Sequence, residues 1–269
     1  MLRSIKALND YHVSAVDGEV GKVIDFYFDD DDWAVRYLVV DTSGFWEASH
    51  KVLISPNAFG RADWQSERIG LTITRDKVKN SPSVDLAKPV SRQYEREYFR
   101  YYNWQNYWEY GIGEPIPPAA AFAVETDGPD DAENGDPHLH SAHDVAGYAI
   151  HGSDAEIGQV QDFIIEDDTW EIRYLVVDTS KWWFGKSVLV APRWIERIDW
   201  SNKGVYVNLP REVIKNSPEW KPEEAVNREY ETRLYDYYGR PAYWDDDGDV
   251  SKPPPRRSWR QQQDSQDPG

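Results

Sequence analysis

Residues 19–43 read EVGKVIDFYFDDDDWAVRYLVVDTS, and residues 156–180 repeat them as EIGQVQDFIIEDDTWEIRYLVVDTS, with 16 of 25 positions identical. The similarity continues downstream at a slightly shorter spacing, where KVLISP at 51–56 matches SVLVAP at 187–192. A period this long indicates two copies of one folded unit rather than a solenoid of short repeats. The chain therefore contains a tandem duplication.

The repeated stretch predicts a β-hairpin. Two runs rich in β-branched and aromatic residues, 20–28 and 33–40, flank the acidic turn 29–32. Shorter strands are predicted over 50–55 and 68–74, joined by a loop over 57–64 that holds at most one helical turn. Several short strands without long helices between them favour a small closed or half-closed barrel.

A helix is predicted after the strands of each copy. Residues 91–102 place tyrosines four, seven and eight positions after Tyr94, which is the spacing of one apolar helix face, and residues 227–238 keep this pattern. Each helix packs either on its own barrel or on the other copy; the sequence leaves both open. A shorter helical turn is predicted over 74–79, before a Ser-Pro pair.

Composition divides the chain into four segments. Residues 111–140 hold seven acids and no Lys or Arg among many Pro, Ala and Gly, which is typical of a solvated linker. We therefore predict a first barrel with its aromatic helix over 1–110 and a linker over 111–142. A second barrel with its helix follows over 143–244, and a disordered tail over 245–269.

The charge and the cysteine content exclude several classes. The 269 residues include 48 acids, 30 Lys and Arg, 13 tryptophans and no cysteine, for a net charge of −18. Without cysteine there is no disulfide, thiolate–metal site or thiol nucleophile. The negative charge argues against direct nucleic-acid binding, which relies on neutralising phosphates. No run is long and apolar enough to span a bilayer, and no apolar leader follows Met1, so we expect a cytoplasmic protein.

The segments GEVGKVIDFYFDD (18–30), WAVRYLVVDT (33–42), KVLISP (51–56) and VKNSP (78–82) resemble the PRC-barrel family over residues 5–102 and 142–238. The resemblance implies a mainly β fold of two tandem small PRC-type β-barrels, each followed by a short C-terminal helix. It is strongest to bacterial proteins with two such barrels. Relatives include the cytoplasmic domain of the photosynthetic reaction-centre H subunit and the C-terminal barrel of a ribosome-maturation factor, which implies an interaction module.

Charged residues shared by the two copies are the first candidate sites. Asp25, with its counterpart in the second copy, either belongs to an acid–base pair or accepts hydrogen bonds in a turn, and the same choice applies to Asp41. Arg36 either pairs with Asp25 across the hairpin or binds an anion. The repeat signature as a whole comprises Gly21, Asp25, Trp33, Arg36 and Asp41, and in the second copy Gly158, Asp162, Trp170, Arg173 and Asp178.

Histidines and exposed aromatics supply two further candidates. His138, His140 and His143 crowd the end of the linker, where adventitious metal binding is expected rather than an ordered site, so we predict no metal and no cofactor. Aromatic loops follow Asp-Thr-Ser in both copies. They form either a protein-contact surface or the contact between the barrels. Their members are Phe45 and Trp46 in the first copy and Trp182, Trp183 and Phe184 in the second.

No nucleophile elbow, phosphate-binding glycine loop or His-Glu-x-x-His motif is present, so we expect no enzyme. The sequence favours a non-enzymatic scaffold whose two barrels pair within the chain and which contacts a protein partner of unidentified nature, free or within a membrane complex. Two alternatives stay open. One is an accessory of photosynthetic or electron-transport complexes; the other is a ribosome-assembly or RNA-processing accessory that docks on protein rather than RNA.

Overall fold

A computed structural model describes residues 1–45, 51–84, 86, 89–108, 138–179 and 186–245. The described residues form two β-rich units with a seven-stranded and an eight-stranded sheet. This confirms the mainly β, tandem organisation that the repeat predicted. The aromatic residues Trp46, Trp182, Trp183 and Phe184 lie outside the described part of the chain.

The first unit begins with strand β1 and a 3-10 turn at Lys6–Leu8, and it ends with a short and a long helix. A second 3-10 turn, Pro56–Ala58, precedes β6. The elements are β1 (Leu2–Ser4), β2 (His12–Ala15), β3 (Gly18–Asp29), β4 (Ala34–Asp41), β5 (Lys51–Ile54), β6 (Phe59–Asp63), β7 (Arg68–Leu71), α1 (Arg75–Lys79) and α2 (Arg92–Tyr102).

The second unit repeats this order with small differences: a short helix replaces the first 3-10 turn, and an extra two-residue strand precedes the last helix. Another 3-10 turn lies at Pro192–Trp194. The elements are β8 (Leu139–Ser141), α3 (Ala142–Val145), β9 (Ala149–His151), β10 (Glu156–Glu166), β11 (Ile172–Asp178), β12 (Ser187–Val190), β13 (Ile195–Asp199), β14 (Gly204–Val207), α4 (Arg211–Lys215), β15 (Glu219–Trp220) and α5 (Arg228–Tyr238).

The long hairpin is the centre of each sheet. In the first unit the strands pair in the order β5-β4-β3-β2-β7-β6, and in the second the order is β13-β14-β9-β10-β11-β12-β15. Gly21 lies where β3 crosses β4: a Cβ there would stand 2.1 Å from the carbonyl oxygen of Asp41, and a Cβ on Gly158 would stand equally close to Asp178. Only glycine allows this approach of two backbones, which explains the repeated glycine.

The two units exchange strands. Strand β1 of the first unit pairs antiparallel with β10 of the second, from Leu2 opposite Glu166 to Ser4 opposite Ile164. Strand β8 of the second unit pairs in the same way with β3 of the first. Each sheet is thus completed by a strand from the other unit. We call this junction, with the hairpin tips described next, the seam.

The tips of the hairpins also meet at the seam. The amide of Val35 donates to the carbonyl oxygen of Trp170 at 2.8 Å, and the amide of Ile172 donates to that of Trp33 at 2.7 Å. Both tryptophans have left-handed backbones, with φ of 54° at Trp33 and 60° at Trp170. The Trp170 ring enters the first unit, with its centroid 4.8 Å from that of Phe59. One apolar core therefore runs through both units.

The helices confirm one prediction and settle one alternative. Helices α2 and α5 begin within one residue of the predicted positions, capped by Ser91 and Asn227. Helix α2 packs on its own unit, where the hydroxyl of Tyr98 donates to the carbonyl oxygen of Leu53 at 3.0 Å.

Two boundaries differ from the sequence prediction. The predicted loop over 57–64 contains strand β6, whose Phe-Gly-Arg-Ala-Asp sequence lacks the β-branched residues that signal a strand. Strand β8 and the start of α3 lie inside the range 111–142 assigned to the linker, so the second unit begins before residue 143. A three-residue strand that pairs only with the other unit leaves no periodic signal of its own.

Candidate functional site

The shared aspartates Asp25 and Asp162 close the seam. Asp25 accepts a hydrogen bond from the Ser141 hydroxyl at 2.6 Å and from the His143 amide at 3.1 Å. Asp162 accepts the equivalent bonds from Ser4 at 2.5 Å and from the Lys6 amide at 3.1 Å.

These contacts are made across the units, so both carboxylates hold the start of the other unit's chain. Burial raises the pKa of Asp25 and of Asp162, although the hydrogen bonds oppose this. The geometry supports the structural interpretation of the pair, because each carboxylate receives hydrogen bonds from a cap that it stabilises.

The repeated arginines do not pair with these aspartates. Arg36 instead binds Asp29 at 3.2 Å and Asp32 at 2.6 Å, both at the hairpin tip of its own unit. Arg173 binds Glu166 and, at 2.5 Å, Glu171. The predicted pairing of Arg36 with Asp25 is therefore wrong. Asp25 and Asp29 lie on the same face of β3. Asp29 is opposite Ala34 at the start of β4, near Arg36, whereas Asp25 is opposite Val39, farther along that strand.

A buried glutamate lies behind each hairpin, under the long helix. Glu95 is fully buried and accepts hydrogen bonds from the hydroxyls of Tyr37 and Tyr107 at 3.0 and 2.9 Å, and from Arg92 at 3.1 Å. Burial and the neighbouring carboxylate raise the pKa of Tyr37 well above its ordinary value, so this tyrosine stays a donor. The glutamate thereby ties helix α2 to strand β4 and to the segment after the helix.

The second copy repeats this arrangement around Glu231. This glutamate accepts from Tyr174 at 2.8 Å and from Tyr243 at 3.0 Å, and Arg228 lies 3.3 Å away. In both copies the outer tyrosine lies between two guanidinium groups: Arg173 and Arg228 stand 4.3 and 5.4 Å from the Tyr243 ring centroid. The Tyr-Glu pair at 94–95 recurs at 230–231, and this repetition was the sequence signal for the cluster. The sequence prediction assigned no role to either glutamate.

The three linker histidines do not converge on one point. His138 meets Glu95 at 2.9 Å, and His140 stacks on Trp200 with ring centroids 3.4 Å apart. The amide of His143 donates to Asp25. Among the described residues, no group of three or more His, Asp or Glu is arranged to hold a metal ion.

The aromatic loops follow the ends of strands β4 and β11. Strands β4 and β11 start at the bridge between Ala34 and Glu171 and end at Asp41 and Asp178. Both strand ends lie seven residues from this bridge, about 23 Å along the strand, whereas Asp25 of the seam pairs with Val39, two residues before Asp41.

At the exit of the first loop, Asp41 accepts hydrogen bonds from the amide and hydroxyl of Ser43, which lower its pKa. The half-buried Phe45 follows, and its carbonyl oxygen accepts from Arg75 at 3.1 Å. The turn interpretation of Asp41 thus agrees with the structure. The choice between a surface contact and a contact between the units depends on residues outside the described part of the chain.

A cleft of 340 Å³ opens at the seam between the first hairpin tip and the second unit. Asp31, Asp32 and Trp33 form one wall, and Arg173, Tyr235 and Tyr243 lie on the other. Burial and the neighbouring acids raise the pKa of Asp31. The guanidinium of Arg173 is already bound by Glu166 and Glu171. This cationic group of the cleft therefore has partners within the protein and offers little to a ligand.

None of the helices in the described part of the chain combines the length and the apolar character needed to cross a membrane.

Comparison with known proteins gives two findings. A family model described as PRC-barrel domain matches residues 7–77 and, a second time, residues 137–214. An uncharacterized protein of Deinococcus radiodurans is 33% identical over 95 residues, which is 35% of this chain and 33% of that protein. The similarity thus covers about a third of the length of each.

Proposed function

Because the chain belongs to the PRC-barrel domain family through both of its units, we propose that it is a non-enzymatic scaffold that binds protein partners through its aromatic loops. The loops carry Phe45 and Trp46 in one barrel and Trp182, Trp183 and Phe184 in the other.

The reciprocal strand exchange is the observation that carries this proposal. It joins the barrels into one framework with a continuous core, and it places the exits of the two loops at corresponding ends of β4 and β11. A rigid scaffold that presents variable loops is a common arrangement for binding proteins. Tryptophan contributes much of the binding energy at protein interfaces.

The polar groups shared by the copies support the same conclusion. Asp25 and Asp162 cap the exchanged segments, Asp41 holds its own turn, and Glu95 holds helix α2. Each therefore has a structural role. The net charge of −18 favours a protein partner over nucleic acid.

The proposal is tested by cross-linking affinity purification from the native host with quantitative mass spectrometry. Two variants, Trp46→Ala and the double variant Trp182→Ala/Trp183→Ala, are compared with the wild type. We expect at least one variant to reduce recovery of a specific partner about tenfold, the loss typical of one interface hot spot. The identity of the partner separates the general scaffold from the photosynthetic and ribosomal alternatives.

Tyr237→Ala is the control, since Tyr237 is an exposed aromatic residue on α5, 40% accessible, and belongs to neither loop segment. Circular dichroism before each purification establishes that all variants are folded. Unchanged partner recovery with both tryptophan variants would contradict the assignment of the loops as the binding surface.

A further inference from the structure

The two halves of the seam differ at one position. Strand β1 reads Leu-Arg-Ser and strand β8 reads Leu-His-Ser, so Arg3 and His140 occupy equivalent places. Arg3 donates to Asp167 at 2.7 Å, and its guanidinium lies 3.9 Å from the Trp64 ring centroid. The α-amino group of Met1 also binds Asp167, so two cationic groups hold this half of the seam.

In the other half a histidine faces the corresponding carboxylate and tryptophan ring, but its Nε2 makes no hydrogen bond with a described residue. His140 stands 3.4 Å from the carboxylate of Asp30 and stacks on Trp200. The imidazole is largely buried, with 11% of its side chain accessible. The contact with Asp30 is ionic only when His140 is protonated, and histidine changes charge near neutral pH.

A second histidine on the same segment acts in the same direction. His138 is buried and lies 2.9 Å from Glu95. Glu95 keeps its bonds from Arg92, Tyr37 and Tyr107 whether or not His138 is charged. The second copy has the same cluster around Glu231 with no histidine among its described contacts, so release of His138 leaves the glutamate satisfied.

We propose that the half of the seam formed by β8 is a pH-sensitive latch: protonation of His138 and His140 tightens β8 on the first barrel, and deprotonation loosens it while β1 stays docked. The ionic part of both contacts is present at low pH and is lost as the pH rises. The latch would let the cell's pH set how firmly the two barrels are joined.

Other charged groups also face this segment, among them Asp144 beside Ser141. Asp29 opposes Leu139 in the strand pairing but is held by Arg36, and Asp31 lies on the same hairpin tip. Asp25 faces Ser141 and His143, and burial raises its pKa. Its counterpart Asp162 makes the same contacts to β1, so titration of these aspartates acts on both halves alike.

Hydrogen–deuterium exchange of the full chain measures the two halves separately. Peptides that cover 138–143 and 2–6 are compared at about pH 5.5 and about pH 8, on either side of the ordinary histidine pKa, with intrinsic rates corrected by unstructured reference peptides. We expect protection of 138–143 to fall more than protection of 2–6 as the pH rises, because only the first segment loses ionic contacts of its histidines. The difference comes from the histidines if the double variant His138→Gln/His140→Arg abolishes it.

The reciprocal variant Arg3→His gives an independent test, because it places an imidazole opposite Asp167 and should make protection of 2–6 fall as the pH rises. Equal pH dependence of both segments in the wild type would overturn the proposal. A double variant that retains the full difference between the segments would overturn it as well.

Discussion

Trp170 fills the core of the opposite barrel, and its truncation is expected to weaken both barrels. Its side chain is 2% accessible, and its ring lies 4.8 Å from Phe59 and 6.5 Å from Phe26, both in the first barrel. The counterpart Trp33 is half-buried and stacks at 5.4 Å on Phe28 of its own barrel. The pair provides a matched comparison at equivalent positions.

The expected cost follows from burial. Replacing a fully buried large aromatic residue by alanine costs about 3–5 kcal/mol, because contacts are lost and a cavity remains. We expect this cost for Trp170→Ala and about 1–2 kcal/mol for the half-exposed Trp33→Ala. Alanine keeps the left-handed backbone at both positions, so backbone strain cancels in the comparison.

Urea unfolding followed by far-UV circular dichroism measures the difference. With an m-value of about 3 kcal/mol/M, Trp170→Ala should lower the midpoint by about 1–1.7 M. A single transition is expected for the wild type, because the core is continuous across the seam. A Trp170→Ala variant that is no less stable than Trp33→Ala would refute the view that the exchanged ring holds the barrels together.

Three further predictions concern single residues. Gly21→Ala should lower the free energy of unfolding by about 3 kcal/mol in thermal unfolding, since its Cβ would meet a carbonyl oxygen at 2.1 Å. Gly44→Ala has open space around its Cβ at φ 81° and should cost only about 1 kcal/mol of backbone strain. Equal costs would contradict the close approach of the two backbones at Gly21. Burial raises the pKa of Asp25, so its contribution to stability is complete below the unfolded pKa and is lost as the pH rises through the folded value. Asp25→Asn should therefore become more stable relative to wild type above about pH 4 in a series of urea midpoints, and a constant difference would refute this. Glu231→Gln should lower the free energy of unfolding by about 1–3 kcal/mol, because two tyrosine hydroxyls and an arginine lose a charged acceptor. The control Glu229→Gln, at an exposed position, should change it by less than about 0.5 kcal/mol.

The repeat and the hairpin were predictable because they are local. Period-two runs around an acidic turn define β3 and β4, and the tyrosine spacing defines α2 and its counterpart. The duplicated glycine at position 21 has a similarly local cause, the crossing of two adjacent strands. Such features depend on neighbours within about 25 residues, which a single sequence displays directly.

The seam was not predictable from the same signals. Strands β1 and β8 have three residues each and pair with partners on the other copy, so neither periodicity nor turn residues reveal them. The role of Asp25 depends on such contacts between the copies, and that of Glu95 depends on Tyr37, which lies 58 residues away in the chain. The sequence showed that Asp25 and the Tyr-Glu pair are repeated, but not which groups face them.

The exchange of strands also has a consequence for synthesis on the ribosome. Ser4 pairs opposite Ile164, so β1 emerges 160 residues before its partner. At about 5–20 residues per second this takes about 8–30 s, during which the first barrel also lacks the Trp170 ring that completes its core. We therefore expect the nascent first barrel to lack these contacts until the second is made, so that translation speed and chaperone binding influence the yield of folded protein.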